Sequence, residues 1–111
     1  MNYIDFKAGN NEYKLRLTTK ATVTLEKQLG CNPIYVFGNG DVIPTVTQMV
    51  AILHASLQAL EHGITMDKAY DIFDAYLCDH AMTDFIQVIV DIYRQAGLIS
   101  KAEAAEGNEK N

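Results

Sequence analysis

Residues 3–30, YIDFKAGNNEYKLRLTTKATVTLEKQLG, contain the change of period that decides the fold. Ile4, Phe6 and Ala8 alternate with Asp5 and Lys7, and Tyr13, Leu15 and Leu17 alternate with Lys14 and Arg16. A period of two is that of strands with one wet face, so strands are expected over 3–8 and 12–18. Gly9-Asn10-Asn11 supplies residues that tolerate positive φ, and the pair reads as a β-hairpin. The period then lengthens. Thr18 or Thr19 caps a helix that runs to Leu29 and stops at Gly30. Its apolar stripe is Val23 (or Ala21), Leu25 and Leu29, with Lys20, Thr24, Lys27 and Gln28 facing water. Two strands alone are marginal in water, so the hairpin must rest on helices or pair with another chain.

Everything after Gly30 reads as helix and turn. Asn32-Pro33 opens a short turn or helical piece carrying Ile34, Tyr35, Val36 and Phe37, and Gly38-Asn39-Gly40-Asp41 is a loop. Thr45 caps a helix to about His62, with Val46, Met49, Val50, Leu53, Leu57 and Leu60 at three- and four-residue spacing. Thr65 caps another, with Asp67 in its first turn and Ala69, Ile72, Phe73, Tyr76 and Leu77 as its stripe. The last helix runs from Thr83 to about Ala96, before Gly97. It is apolar around most of its circumference, so it is either central to the core or covered by a partner. The fold class is therefore mainly α (α+β): an N-terminal hairpin and about four helices packed as a small bundle. Residues 3–99 are expected to form one domain, and 100–111 a polar tail without fixed structure.

Net charge and composition exclude several functions. Fourteen acidic residues outnumber nine basic ones, for a formal charge of −5. The densest basic stretch, Lys14, Arg16 and Lys20, is interrupted, which argues against a nucleic-acid or anionic-membrane partner. The apolar stretches are broken by Gln48, His54, Gln58 and Asp91, so no membrane span is expected. No basic region followed by an apolar run opens the chain, so a cytoplasmic protein is expected. Cys31 and Cys78 fit no metal or redox spacing and read as reduced thiols, Cys78 as a buried small hydrophobe.

Catalytic or metal constellations do not assemble from the remaining polar residues. His54 and His62 lie two helical turns apart, not the single turn a chelating pair needs, and Cys78, Asp79 and His80 point to different faces. Neither cysteine sits at a helix N-terminus, where its pKa would fall. Asp67, Asp71 and Asp74 fall on one helix face, opposite much of the apolar stripe, and read as a solvated acidic face able to meet a basic partner. Gly38-Asn39-Gly40-Asp41 lacks both the Lys-Ser/Thr of a phosphate loop and the third glycine of a dinucleotide fingerprint. The expectation is a non-enzymatic protein without cofactor or metal. Its candidate partner-binding residues are Phe85, Ile86, Ile89, Ile92 and Tyr93 on the last helix, with a narrower strip around Phe85, Ile89 and Tyr93.

One stretch resembles a family. Tyr13-Lys14-Leu15-Arg16-Leu17-Thr18-Thr19 leads into a helix holding Leu25-Glu26 and ending Gln28-Leu29-Gly30, followed by an all-helical remainder and a charged tail. This pattern is similar to that of the tail assembly chaperones of long-tailed bacteriophages and gene-transfer-agent tails. The resemblance implies a non-catalytic protein that binds the aggregation-prone tape measure protein, helps recruit tail tube subunits, self-associates and is absent from the finished virion. It also implies a longer, frameshifted product continuing past the tail at 101–111. The alternative is a small helical adaptor or regulatory protein of a mobile element, binding one folded partner.

Overall fold

The hairpin forms in the register that the alternation dictates. In the computed structural model, which describes residues 3–38 and 43–100, β1 (Ile4–Ala8) pairs antiparallel with β2 (Asn11–Leu15). Ile4 lies opposite Leu15 and Phe6 opposite Tyr13. Phe6, Ala8 and Leu15 are buried on one face, while Lys14 pairs with Asp5 on the other. Gly9 takes φ 64 in the two-residue turn, a conformation that costs glycine little. The second strand ends earlier than the alternation suggests. Arg16 leaves the ladder and its N–H donates to the Ser56 carbonyl at 2.9 Å, which ties the hairpin's exit to a helix behind it.

Each helix begins at a threonine cap or a short 3-10 turn. Thr18 Oγ1 accepts from the Ala21 N–H to open α1 (Thr19–Leu29), and Gly30 closes it at φ 76. A 3-10 turn follows at Pro33–Phe37, begun by the Asn32 side chain accepting from the Ile34 N–H. Thr45 and Gln48 form a reciprocal capping box at the start of α2 (Val46–Leu57). Thr65 caps α3 (Met66–Leu77). A 3-10 turn at Met82–Asp84 leads into α4 (Phe85–Ala96), which Gly97 ends at φ 83. The start of α4 is thus two residues later than Thr83.

The helix enclosed by the others is α2, not α4. Met49, Val50, Ala51, Ile52, Leu53, Ala55, Ser56 and Leu57 are all buried, so α2 is covered on nearly every side by α1, α3, α4 and β2. Its only polar member in that run, Ser56, satisfies its hydroxyl by donating to the Leu53 carbonyl at 3.0 Å. The ends of its expected stripe, Val46 and Leu60, are exposed. α2 also stops at Leu57 instead of His62, because side chains rebuild the backbone bonds beyond it. Gln58 Nε2 donates to the carbonyls of His54 and Ile64, and Gln58 Oε1 accepts from the Gly63 N–H. His54 Nε2 lies 2.8 Å from the same Ile64 carbonyl, and Gly63 at φ 76 turns the chain into α3.

Aromatic rings join the hairpin to α3 and α4. Phe6 stacks on Tyr76 at 5.0 Å and meets Phe85 edge-on at 5.8 Å, while Phe73 meets Phe85 edge-on at 5.3 Å. These are favourable offset and T-shaped geometries. His80 continues the stack on Tyr76, with ring centroids 4.4 Å apart and planes within 7°. No helix among the described residues is long and apolar enough to cross a membrane. Residues 39–42, which include most of the loop expected at 38–41, and the expected tail from Lys101 onward lie outside the described residues.

Candidate docking groove

The proposed contact residues of α4 are placed inside the domain. Phe85, Ile89, Ile92 and Tyr93 are each fully buried, and only Ile86 keeps part of its surface. Their i, i+4, i+7, i+8 spacing forms the stripe by which α4 closes this chain's own core, so four of the five cannot be offered to a partner. Tyr93 is anchored further. Its hydroxyl donates to the Pro33 carbonyl at 2.8 Å, its ring meets Phe37 edge-on at 5.9 Å, and burial raises its pKa. The remaining apolar surplus of α4, Ile86, Val88 and Val90, is half-buried and does not form an open face.

Open apolar surface lies elsewhere, on α2 and α3. Val46 is 45% exposed, Tyr70 51% and Leu77 39%. They border a cavity of about 430 Å³ whose floor is Val50 and Phe73 and whose other walls include Met66, Thr47, Gln28 and Asp74. Leu77 belonged to the expected core stripe of α3. It falls outside because the helix turns it away from Ala69, Ile72 and Tyr76, which are buried against the hairpin and α2.

Asp67, Asp71 and Asp74 are all exposed and follow the i, i+4, i+7 spacing of one helix edge. On a helix of 3.6 residues per turn this edge adjoins the row Met66, Tyr70, Leu77, on the side away from the core. Cys78 continues the same edge at i+11 and is exposed, not buried; its thiol contacts the Asp74 carbonyl at 3.6 Å. The spacing 67-71-74-78 was the signal for that placement. Cys31 is half-buried.

A larger cavity, about 510 Å³, opens between α1 and the end of α2. Arg16, Lys20, His54 and His62 line it with no carboxylate, and several of its polar side chains are used within the fold. Thr18 caps α1, Thr24 Oγ1 donates to the Lys20 carbonyl, and His54 and Gln58 hold the turn before α3. Neither cavity contains a cysteine or serine nucleophile with a base beside it. Among the described residues no three His, Cys, Asp or Glu side chains converge on a metal position. Between α2 and α3 the surface offers a groove that is apolar along its floor, with Asp74 on its wall and Asp67 and Asp71 on the adjoining edge of α3. No protein-family model, curated protein or solved structure matches the chain.

Proposed function

We propose that this chain is a non-catalytic protein-binding module, and specifically a tail assembly chaperone of a long-tailed phage or related element. It acts in the host cytoplasm by holding segments of a tape measure protein while tail tube subunits assemble around them. The observation that carries the reading is the groove between α2 and α3, bordered by the exposed apolar side chains of Val46, Tyr70 and Leu77. A holdase needs exposed apolar area of this kind, limited enough for the protein itself to stay dispersed. The net charge of −5 favours that dispersion. The pattern of residues 13–30 points to the family. Self-association, which the resemblance implies, has a route in the hairpin, since a two-stranded sheet leaves an outer edge on each strand.

Co-expression with the tape measure protein of its own gene neighbourhood tests this. A gain in that client's solubility and co-purification of the two are expected. Unchanged client solubility together with no co-purification overturns the reading. A second reading, an adaptor that binds one folded partner, is favoured by the i, i+4, i+7, i+11 row of Met66, Tyr70, Phe73 and Leu77 along the groove, which suits a single helix. A neighbourhood with no tail tube gene upstream and no very long gene downstream would select it.

A further inference from the structure

We infer that the groove between α2 and α3 takes a basic amphipathic helix, about three turns of it, with an aliphatic stripe on the floor and Lys or Arg along α3. The inference rests on the reading of this chain as a protein-binding module and adds the chemistry of its partner. Met66, Tyr70, Phe73 and Leu77 line the groove at i, i+4, i+7 and i+11. At 1.5 Å per residue they span roughly 16 Å, which is the length of three helical turns. Such a floor suits side chains that recur every three or four residues.

Charge selects among the possible occupants. Asp67, Asp71 and Asp74 run along the solvent edge of the same helix, and no described residue is seen to form a salt bridge with them. The residue that α1 contributes to the lining is the neutral Gln28. A second copy docking through its own α3 would bring Lys68 as that helix's only basic residue against Asp67, Asp71 and Asp74, so like charges would predominate. The chain's residues 101–111 contain no large apolar side chain to fill the floor and carry Glu103, Glu106 and Glu109. A cationic helix satisfies both the floor and the edge.

The test titrates the full chain with two synthetic peptides of about 18 residues, long enough to hold helix when bound. They share one leucine stripe and differ in a lysine or a glutamate polar face. Binding is followed by fluorescence anisotropy and located by amide chemical-shift mapping. Three edge charges, each worth up to about fivefold, predict a preference for the lysine peptide of about tenfold or more at low salt. Leu77→Ser and Tyr70→Ser, both at exposed positions, should weaken it by about tenfold. Asp67→Lys with Asp74→Lys should abolish or reverse the preference. Tyr35→Ser, at an exposed aromatic away from the groove, should change nothing.

Equal affinity for the two peptides, shifts mapping to another face, or indifference to Leu77→Ser overturns the inference. So does a homodimer that Leu77→Ser dissociates, because the groove would then belong to a second copy. The two proposals fail separately. Tape measure protein that still co-purifies with the Leu77→Ser variant at full yield removes the groove and leaves the chaperone. Peptide selectivity without any tape measure association does the reverse.

Discussion

The Tyr93 hydroxyl donates a 2.8 Å hydrogen bond to the Pro33 carbonyl, joining α4 to the 3-10 turn at a separation of sixty residues. Both groups are buried, and Phe37 closes over the Tyr93 ring. The contact fixes the 3-10 turn that follows α1 against α4. Tyr93→Phe keeps the ring and removes the donor, leaving the Pro33 carbonyl without it. A loss of about 1–2 kcal/mol is expected, read as a lower urea midpoint with an unchanged slope. An unchanged midpoint would show the bond to be energetically neutral.

The same hydroxyl sets a pH dependence. Burial raises the Tyr93 pKa above the ordinary phenol value of 10.0, and burial followed by the Asp84 charge raises that of Tyr76. A raised folded-state pKa means that unfolded chains lose the proton first. Stability is therefore intact below about pH 10 and falls above it, by up to about 1.4 kcal/mol per pH unit for each tyrosine. Tyr93→Phe should flatten that alkaline decline in a series of denaturation curves. A decline of identical steepness in the variant would assign it to other groups.

Gly9→Ala tests the hairpin turn. A Cβ there would meet the Ala75 Cβ at 3.4 Å, an ordinary contact, but φ at +64 is strained for alanine. The backbone is thus the larger effect, about 1–2 kcal/mol, or roughly 4–16 °C in Tm for a domain of this size. A double-mutant cycle with Ala75→Gly should show little coupling, since the clash is not what costs stability. Coupling that restored most of the loss would reverse that assignment.

Ile89→Asp separates a core position from a surface one. Ile89 is fully buried in α4, so a carboxylate there has no partner, and the folded circular dichroism signal should be lost. Leu77→Asp, at an exposed position of α3, should change stability by no more than about 0.5 kcal/mol. A folded, merely dissociated Ile89→Asp variant would return α4 to the list of docking surfaces.

These two residues also show where sequence reading succeeds and stops. Thr45 and Thr65, and Thr18 as one of two neighbouring threonines, were legible as caps because capping is decided within one helical turn, by a side-chain oxygen and a backbone N–H. The hairpin register was legible because a period of two assigns every side chain a face. Which helix becomes central was not, because it depends on how faces meet across the chain. α2 carries small Ala51, Ala55 and Ser56 between its large residues, which lets neighbours approach on all sides. α4 has more bulky apolar residues and still leaves Ile86, Val88 and Val90 only half-buried. The groove was half legible: Asp67, Asp71 and Asp74 stood out by spacing, whereas Leu77 and Val46 were indistinguishable from core residues by period alone.

Val50 and Phe73 form the floor of the groove and are at the same time core residues, 4% and 3% exposed. An occupant of the groove therefore presses on the same side chains that hold α2 against α3. Binding and folding become linked quantities: a ligand at a hundred times its dissociation constant adds about 2.7 kcal/mol to the stability of the whole domain. A rise in melting temperature would then report a client directly, with no label on either protein. The linkage runs both ways, so a substitution that loosens the α2–α3 contact would register as weaker client binding before the domain itself unfolds.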